Sequence, residues 1–157
     1  MTRTRSVAAA AAFLLAAASA VSAFAQAAPA MEVLVGRERI PDQGTVTYPN
    51  TPVGEWRSAD NVTIRNTGDA DLLFAGERPI VIVTRPYGSY SIERLPLGPV
   101  PAGSSVTFLL RYRPLNEGPN GGVVTISTND PKTPLFTLRL QSYGVPRRLR
   151  MFSLDGG

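Results

Sequence analysis

Apolar and polar side chains alternate in three runs between residues 105 and 144, and turn-forming residues separate the runs. Because successive side chains of a β-strand point to opposite faces, this alternation predicts strands with one apolar face each. The stretch has the pattern of the closing half of an antiparallel sandwich. The residues predicted to face inward are Val106, Phe108, Leu110, Tyr112, Val124, Ile126, Thr128, Phe136, Leu138 and Leu140.

Shorter segments before residue 105 show strand-like composition and are separated by clusters of Gly, Pro, Asn and Asp. No helical period of useful length follows the first thirty residues. The chain therefore has the pattern of an all-β sandwich of about seven to nine strands. The further strands are predicted at 31–35, 45–48, 61–65, 72–74, 80–84 and 90–95.

Segment 80–84 differs from the other predicted strands because Ile80, Val81, Ile82 and Val83 make it apolar on both faces. Such a strand is expected either in the centre of a sheet or at an edge that something else covers. If it were exposed at an edge, its unpaired backbone groups would form a template for pairing with another chain.

The first thirty residues have the layout of a secretory signal, with two arginines, an Ala-rich apolar run and then small residues. The small residues predict cleavage after Ala25 or Ala27. The apolar run is short and rich in alanine compared with the ~20 strongly apolar residues of a membrane span. We therefore predict an exported protein, in the periplasm or outside the cell, with no transmembrane anchor in the mature chain.

These patterns divide the chain into a signal peptide at 1–27, a β-sandwich at 28–144 and a basic, flexible tail at 145–157. The signal peptide contains two of the 16 Lys and Arg residues and none of the 12 acidic residues. The mature chain therefore has 14 basic and 12 acidic residues, a net charge of +2. So small an excess does not predict a nucleic-acid-binding surface.

The chain contains no cysteine and no histidine, and its only lysine is Lys132. These absences exclude disulfides, Ser-His and Cys-His triads, and zinc sites with Cys or His ligands. General acid–base catalysis would have to rely on carboxylates, tyrosine or that single lysine. We therefore predict that the protein is not an enzyme and binds no cofactor.

A turn rich in Asn, Gly and Asp follows the predicted strand at 61–65. Asp69 and Asp71 have the spacing of the first oxygen ligands in many calcium loops. No glutamate follows at a useful distance, however, and an ordinary hairpin turn uses the same residue types. The hairpin turn is the simpler interpretation, and a calcium site stays open.

Two groups of residues are candidates for contact with a partner. Three aromatic residues suit stacking on a carbohydrate, and three arginines of the tail suit contact with anionic lipid or lipopolysaccharide. Each group also has a simpler interpretation, because Trp56 suits the core or its lid and the arginines suit a solvated chain end. The candidates are Trp56, Tyr87, Tyr90, Arg147, Arg148 and Arg150.

Four motifs follow one another in the chain: VTIRNTGDADL at 62–72, PAGSS before a strand ending in RYRP at 111–114, VTISTNDP at 124–131, and a last strand that reaches Gly144. In this order and spacing they closely resemble the choice-of-anchor D domain. That family is similar to the abnormal-spindle/Hydin and major-sperm-protein modules. The resemblance covers about residues 31–144 and implies an immunoglobulin-like antiparallel β-sandwich. The motif residues form turns and core, so they transfer no active site.

The resemblance implies an exported, non-enzymatic interaction or scaffold module. Its expected partner is another protein or a cell-envelope component, bound through sheet edges or loops, and self-association is compatible with this role. Two alternatives stay open. One is a periplasmic assembly chaperone that pairs through a strand edge, and the other is a carbohydrate-binding accessory domain.

Overall fold

The computed structural model describes residues 26–57, 59–96 and 98–147. The predicted signal peptide up to residue 25 and the tail from residue 148 lie outside the described residues. The described part contains ten strands and no helix. The strands are β1 (Met31–Val35), β2 (Glu38–Ile40), β3 (Thr45–Thr47), β4 (Thr51–Pro52), β5 (Asp60–Asn66), β6 (Ile80–Arg85), β7 (Tyr90–Glu93), β8 (Ser105–Tyr112), β9 (Gly118–Ser127) and β10 (Leu135–Val145).

The strands form two sheets that pack face to face. The first sheet has the order β2-β1-β5-β8-β7, and the second has the order β3-β10-β9-β6, with β4 also paired to β10. Every pairing is antiparallel except those of β3 and β4, which run parallel to β10. The predicted immunoglobulin-like β-sandwich is therefore confirmed, with two short parallel pairings at one side of the second sheet.

One hydrophobic core lies between the two sheets. Nine of the ten inward residues predicted between positions 105 and 144 are buried, and Val106 is partly buried. Removing apolar surface from water stabilises the fold by ~25 cal/mol per Å², so this shared core is its main support. The alternation of apolar and polar residues therefore located the core correctly.

The stretch between residues 105 and 144 contributes to both sheets rather than to one half of the sandwich. β8 lies in the first sheet, whereas β9 and β10 lie in the second. The turn between β8 and β9 is short, because β8 ends at Tyr112 and β9 already begins at Gly118. Gly122 lies inside β9, where a Cβ would come within 3.1 Å of the Val83 carbonyl oxygen, so this glycine allows β6 to approach closely.

Three short segments differ from the sequence-based expectation. The strand predicted at 72–74 is reduced to two isolated bridges, and β2 forms at 38–40, where no strand is predicted. The strand predicted at 90–95 ends at Glu93, because Arg94 has a φ of 59° in the left-handed region. Segments of two or three paired residues carry too little periodicity to be recognised from sequence.

The corner between β9 and β10 joins the sheets through polar side chains. Buried Asp130 accepts hydrogen bonds from the backbone N–H groups of Met31 at 2.7 Å and Lys132 at 2.8 Å. The side chain of Asn129 accepts the N–H of Leu73 at 2.7 Å. Asn129 and Asp130 of this corner therefore cap backbone amides of neighbouring segments.

Candidate functional site

β6 is an outer strand of the second sheet, with β9 as its only neighbour in the described part of that sheet. The Ser127 N–H donates to the Pro79 carbonyl at 2.8 Å, so the odd-numbered residues of β6 exchange hydrogen bonds with β9. The N–H and C=O groups of Ile80, Ile82 and Thr84 consequently point away from β9. Within the described residues, no backbone hydrogen bond from another strand or turn reaches these three positions.

The side chains of β6 separate into a core face and an outer face. Ile80 and Thr84 are buried and Ile82 is partly buried, whereas Val81 is 39% and Val83 61% exposed on the outer face. An apolar strand with this exposure and unpaired backbone groups can form hydrogen bonds with a further strand and shield apolar surface at the same time.

A shallow depression lies beside Val83 on the outer face of the second sheet. Its lining consists of Val83, Arg85, Gly121, Gly122 and Val123, and its volume is about 240 Å³. Gly121 places no side chain on this outer face of β9, which leaves room beside Val83 and Val123. The backbone of β6 is therefore accessible from the outer face as well as from the edge.

A second groove lies at the beginning of β6. It has a volume of about 320 Å³ and includes Pro79 and Ile80 on one side and Leu95 and Pro96 on the other. Leu95 is exposed. The apolar surface of the β6 edge therefore continues to the segment that follows β7.

The other edges of the two sheets are better protected against pairing. β2 and β3 have only three residues each, and the exposed part of β2 consists of Glu38 and Arg39. β4 includes Pro52, which has no N–H. β7 has four residues and ends with Glu93. Short length, charge and proline are common ways to block an edge, and residues 80–84 of β6 show none of them.

Trp56 lies on the surface between β4 and β5, with 54% of its residue area exposed. The guanidinium carbons of Arg113 and Arg111 lie 5.4 and 6.0 Å from its ring centroid, within cation–π range. Nε of Arg113 also donates to the Gly54 carbonyl at 3.1 Å, which fixes one of these cations. The structure therefore places Trp56 in a surface cluster with two arginines, away from the buried core.

The two candidate tyrosines lie in different environments. Tyr87 is 93% exposed in the turn between β6 and β7, whereas Tyr90 is 3% exposed. The Tyr90 ring stacks on Tyr112 with centroids 4.7 Å apart, and its hydroxyl lies 2.6 Å from the Ser142 hydroxyl. Burial raises the pKa of Tyr90 to about 12. The prediction that Tyr90 stacks on a ligand at the surface is therefore wrong, because its ring lies in the core.

The remaining sequence candidates do not gather into one site. Arg147 is exposed and lies 3.6 Å from a carboxylate oxygen of Glu55, while Arg148 and Arg150 lie outside the described residues. Asp69 accepts the N–H of Ala28 at 2.7 Å, so this carboxylate fastens the segment before β1 to the turn. No group of three Asp or Glu residues suited to a metal ion occurs among the residues that the structure describes.

The exposed valines of β6 were missing from the sequence-derived site residues. Their signal was present in the sequence, because segment 80–84 is apolar at both even and odd positions. What the sequence left open was whether this strand is central or at an edge. The order of strands in the second sheet answers that question and makes the β6 edge the candidate site.

No helix in the described ranges has the length and apolar character needed to cross a bilayer. No protein-family model and no curated protein matches this sequence, so the choice-of-anchor D resemblance stays a prediction. The fold defines the class of the protein as an immunoglobulin-like β-sandwich, and among the described residues β6 is an apolar edge strand that no other strand covers.

Solved structures with a similar fold come from distant proteins. A protein of unknown function from Porphyromonas gingivalis W83 matches with a TM-score of 0.54 and 17% identity, over 73% of this chain and 46% of that chain. This chain thus spans about half the length of that protein. The ASH / PapD-like domain 7 of human CEP192 matches with a TM-score of 0.48 and 11% identity, over 75% of this chain and 87% of that one. The C. elegans MSP family member WR4 matches with a TM-score of 0.38 and 16% identity, over 64% of this chain and 92% of that chain.

Proposed function

We propose that this protein is a non-enzymatic interaction module that binds an extended polypeptide segment by strand addition to β6. The observation that carries this proposal is the combination of unpaired outward backbone groups with the exposed side chains of Val81 and Val83. In strand addition, backbone hydrogen bonds provide affinity, and alternate side chains provide specificity. The exposed valines favour a partner strand that is apolar on the face it shares with them.

We also propose that the protein is exported and that it acts as an interaction or scaffold module. The signal-like layout of the first thirty residues supports export, so the partner is expected among exported proteins or components of the cell envelope. The absence of cysteine and histidine supports a role without catalysis. The ordered motifs that resemble the choice-of-anchor D domain support an interaction or scaffold module.

Site-specific photo-crosslinking in the native cells tests this function. A photoreactive amino acid at position 83 is compared with one at position 135, because Leu135 is also exposed, at 54%, and lies on β10 of the same sheet. The expected result is a crosslinked polypeptide from position 83 and none from position 135. Equal crosslinking from both positions, or none from position 83, would overturn the proposed role of β6.

Cell fractionation tests the proposed location independently. The mature chain is expected in the periplasmic or extracellular fraction, shortened by removal of residues up to Ala25 or Ala27. Recovery of the uncleaved chain in the cytoplasm would contradict export.

A further inference from the structure

We infer that the polypeptide added to β6 is the β6 strand of a second copy of this chain, antiparallel to the first and with Ile82 opposite its own counterpart. This inference rests on the proposed function and names the partner at the same edge. It follows from the positions of the outward backbone groups, from the exposed side chains and from the charges along the strand.

The outward backbone groups restrict the possible registers. Only Ile80, Ile82 and Thr84 direct N–H and C=O groups away from β9, so only these residues can exchange hydrogen bonds with the second copy. A two-fold axis at Ile82 pairs Ile82 with itself and Ile80 of each copy with Thr84 of the other. Every outward backbone group of these residues is then hydrogen-bonded.

Shifting the axis by one residue leaves part of the edge unpaired. With the axis at residue 81, Thr84 lies opposite Arg78, which is outside β6. With the axis at residue 83, Ile80 lies opposite Pro86, which has no N–H to donate. The register centred on Ile82 is therefore the one that uses the whole edge within the bounds of the strand.

The same register brings the exposed valines together. Val81 of each copy lies opposite Val83 of the other, on the outer face and in the non-hydrogen-bonded positions where Cα atoms are about 4.5 Å apart. Both valine pairs lose contact with water on association. The two-fold axis forms this contact twice, because each copy contributes both residues.

The charges at the ends of β6 are compatible with this pairing. Arg85 of each copy lies opposite Pro79 of the other, so the two arginines are not opposed. Residues 80–84 contain no charge. The edge is thus complementary to itself in backbone hydrogen bonds and in apolar side chains, and the register places no two like charges directly opposite each other. The product is one continuous sheet in which the two β6 strands join at the centre.

Disulfide trapping tests the register directly, because the natural chain contains no cysteine. Val81→Cys and Val83→Cys variants of the mature chain are purified, mixed and oxidised. The expected result is a mixed disulfide dimer, several-fold more abundant than the dimer of either variant alone. Like residues in this register lie diagonally, about 7–8 Å apart, beyond the usual Cα separation of a disulfide. More self-linking than mixed linking would overturn the register.

Sedimentation of the mature chain without cysteine tests the dimer itself. The natural chain is expected to show a concentration-dependent monomer–dimer equilibrium, and Val83→Lys is expected to weaken it by about tenfold or more, since each of the two valine contacts is lost. Leu135→Lys introduces the same charge two strands away and should leave the equilibrium unchanged. Thermal melting of both variants verifies that they are folded.

The outcomes separate this inference from the proposed function. A natural chain that stays monomeric, while position 83 crosslinks to a different polypeptide in cells, overturns the second-copy inference and leaves strand addition at β6 standing. A monomeric chain without any crosslink from position 83 overturns both. A dimer that Val83→Lys disrupts and Leu135→Lys does not supports both.

Discussion

β6 and β7 follow each other in the chain, contact one another and form edges of opposite sheets, yet their exposed faces differ. β7 is four residues long and points Ser91 and Glu93 outward, with Glu93 lying 3.3 Å from Arg111 of the neighbouring β8. β6 is six residues long and points Val81 and Val83 outward. One edge is thus polar and charged, and the other is apolar.

This difference shows how the fold can block the addition of a further strand at one sheet edge and permit it at another. A charged side chain on a short edge strand opposes the addition of a further strand, because the charge would lose water without a partner. β7 has this protection, whereas β6 lacks it over residues 80–84. A single lysine in place of Val83 would have supplied it at little cost to the core, since Val83 is largely exposed. The outer valines of β6 therefore contribute little to the packing of the core, which is compatible with the proposed pairing.

The largest expected effect is on association, and it comes from making the outer face of β7 apolar, as that of β6 is. Replacing Ser91 and Glu93 together by valine should create a second adhesive edge, so that one molecule can join two neighbours and assembly no longer stops at a dimer. Light scattering should detect species that grow with concentration. As a control, Thr125→Val with Ser127→Val adds two valines to β9, a central strand. A β7 variant no larger than the natural protein would show that residue type alone does not protect this edge.

The next effect is on stability at alkaline pH, and it arises from Tyr90, the buried tyrosine of β7. Burial raises the pKa of Tyr90 to about 12, above its usual value of 10, so the unfolded chain loses this proton first as the pH rises. The contribution of neutral Tyr90 to the free energy of unfolding is therefore complete below about pH 10 and is lost as the pH approaches 12. The loss is of order 2 kcal/mol. Urea unfolding at pH 9 and pH 11.5 should show the loss.

Two variants separate Tyr90 from other alkaline effects. Tyr90→Phe has no hydroxyl to ionise at this position, so its stability should fall less between the two pH values than that of the natural protein. Tyr87→Phe removes an exposed hydroxyl and should behave as the natural protein does. An unchanged pH dependence in Tyr90→Phe would contradict this account of Tyr90.

A smaller effect of opposite sign is expected at Tyr112, which lies opposite Tyr90 on β8. The Tyr112 hydroxyl is buried and makes no hydrogen bond of good geometry within the described residues, although the nearby Ser142 hydroxyl partly offsets the rise that burial causes in its pKa; the Tyr90 hydroxyl is bonded to Ser142. Tyr112→Phe should therefore raise the free energy of unfolding at pH 7 by about 1 kcal/mol, and Tyr90→Phe should lower it by about the same amount. Denaturant titration of both variants measures the difference. A loss of stability in Tyr112→Phe would indicate that its hydroxyl has a partner.

The alternation of side chains was sufficient to predict the core and much of the edge chemistry. A register error of one residue would have turned Phe108 and Leu110 outward, so their burial is strongly specified by the pattern. The same pattern singled out segment 80–84 as apolar on both faces. It also contained the signal for Tyr90, which lies two positions before Ile92 and therefore shares its inward face.

The position of β6 at an edge could not be predicted in the same way. It depends on β9 pairing with both β10 and β6, and β6 is distant from β9 in sequence. Local periodicity contains no information on which strands become neighbours. The Trp56 cluster was missed for the same reason, because Arg111 belongs to β8, Arg113 follows directly after that strand, and the ring comes from a distant preceding loop.

The smallest expected effect is that of Glu93→Gln, which tests whether the charge on β7 opposes association or stabilises the first sheet. Glu93 and Arg111 are both about two-fifths exposed, with side-chain values of 43% and 41%, so water screens their attraction. Glu93→Gln should therefore change the free energy of unfolding by less than about 0.5 kcal/mol. If β7 is protected by charge, the same variant should associate slightly more than the natural protein at high concentration, which sedimentation would detect. A large loss of stability without any change in association would instead assign this ion pair to holding the first sheet together, and the contrast between β6 and β7 would then rest on strand length and on the apolar side chains of β6.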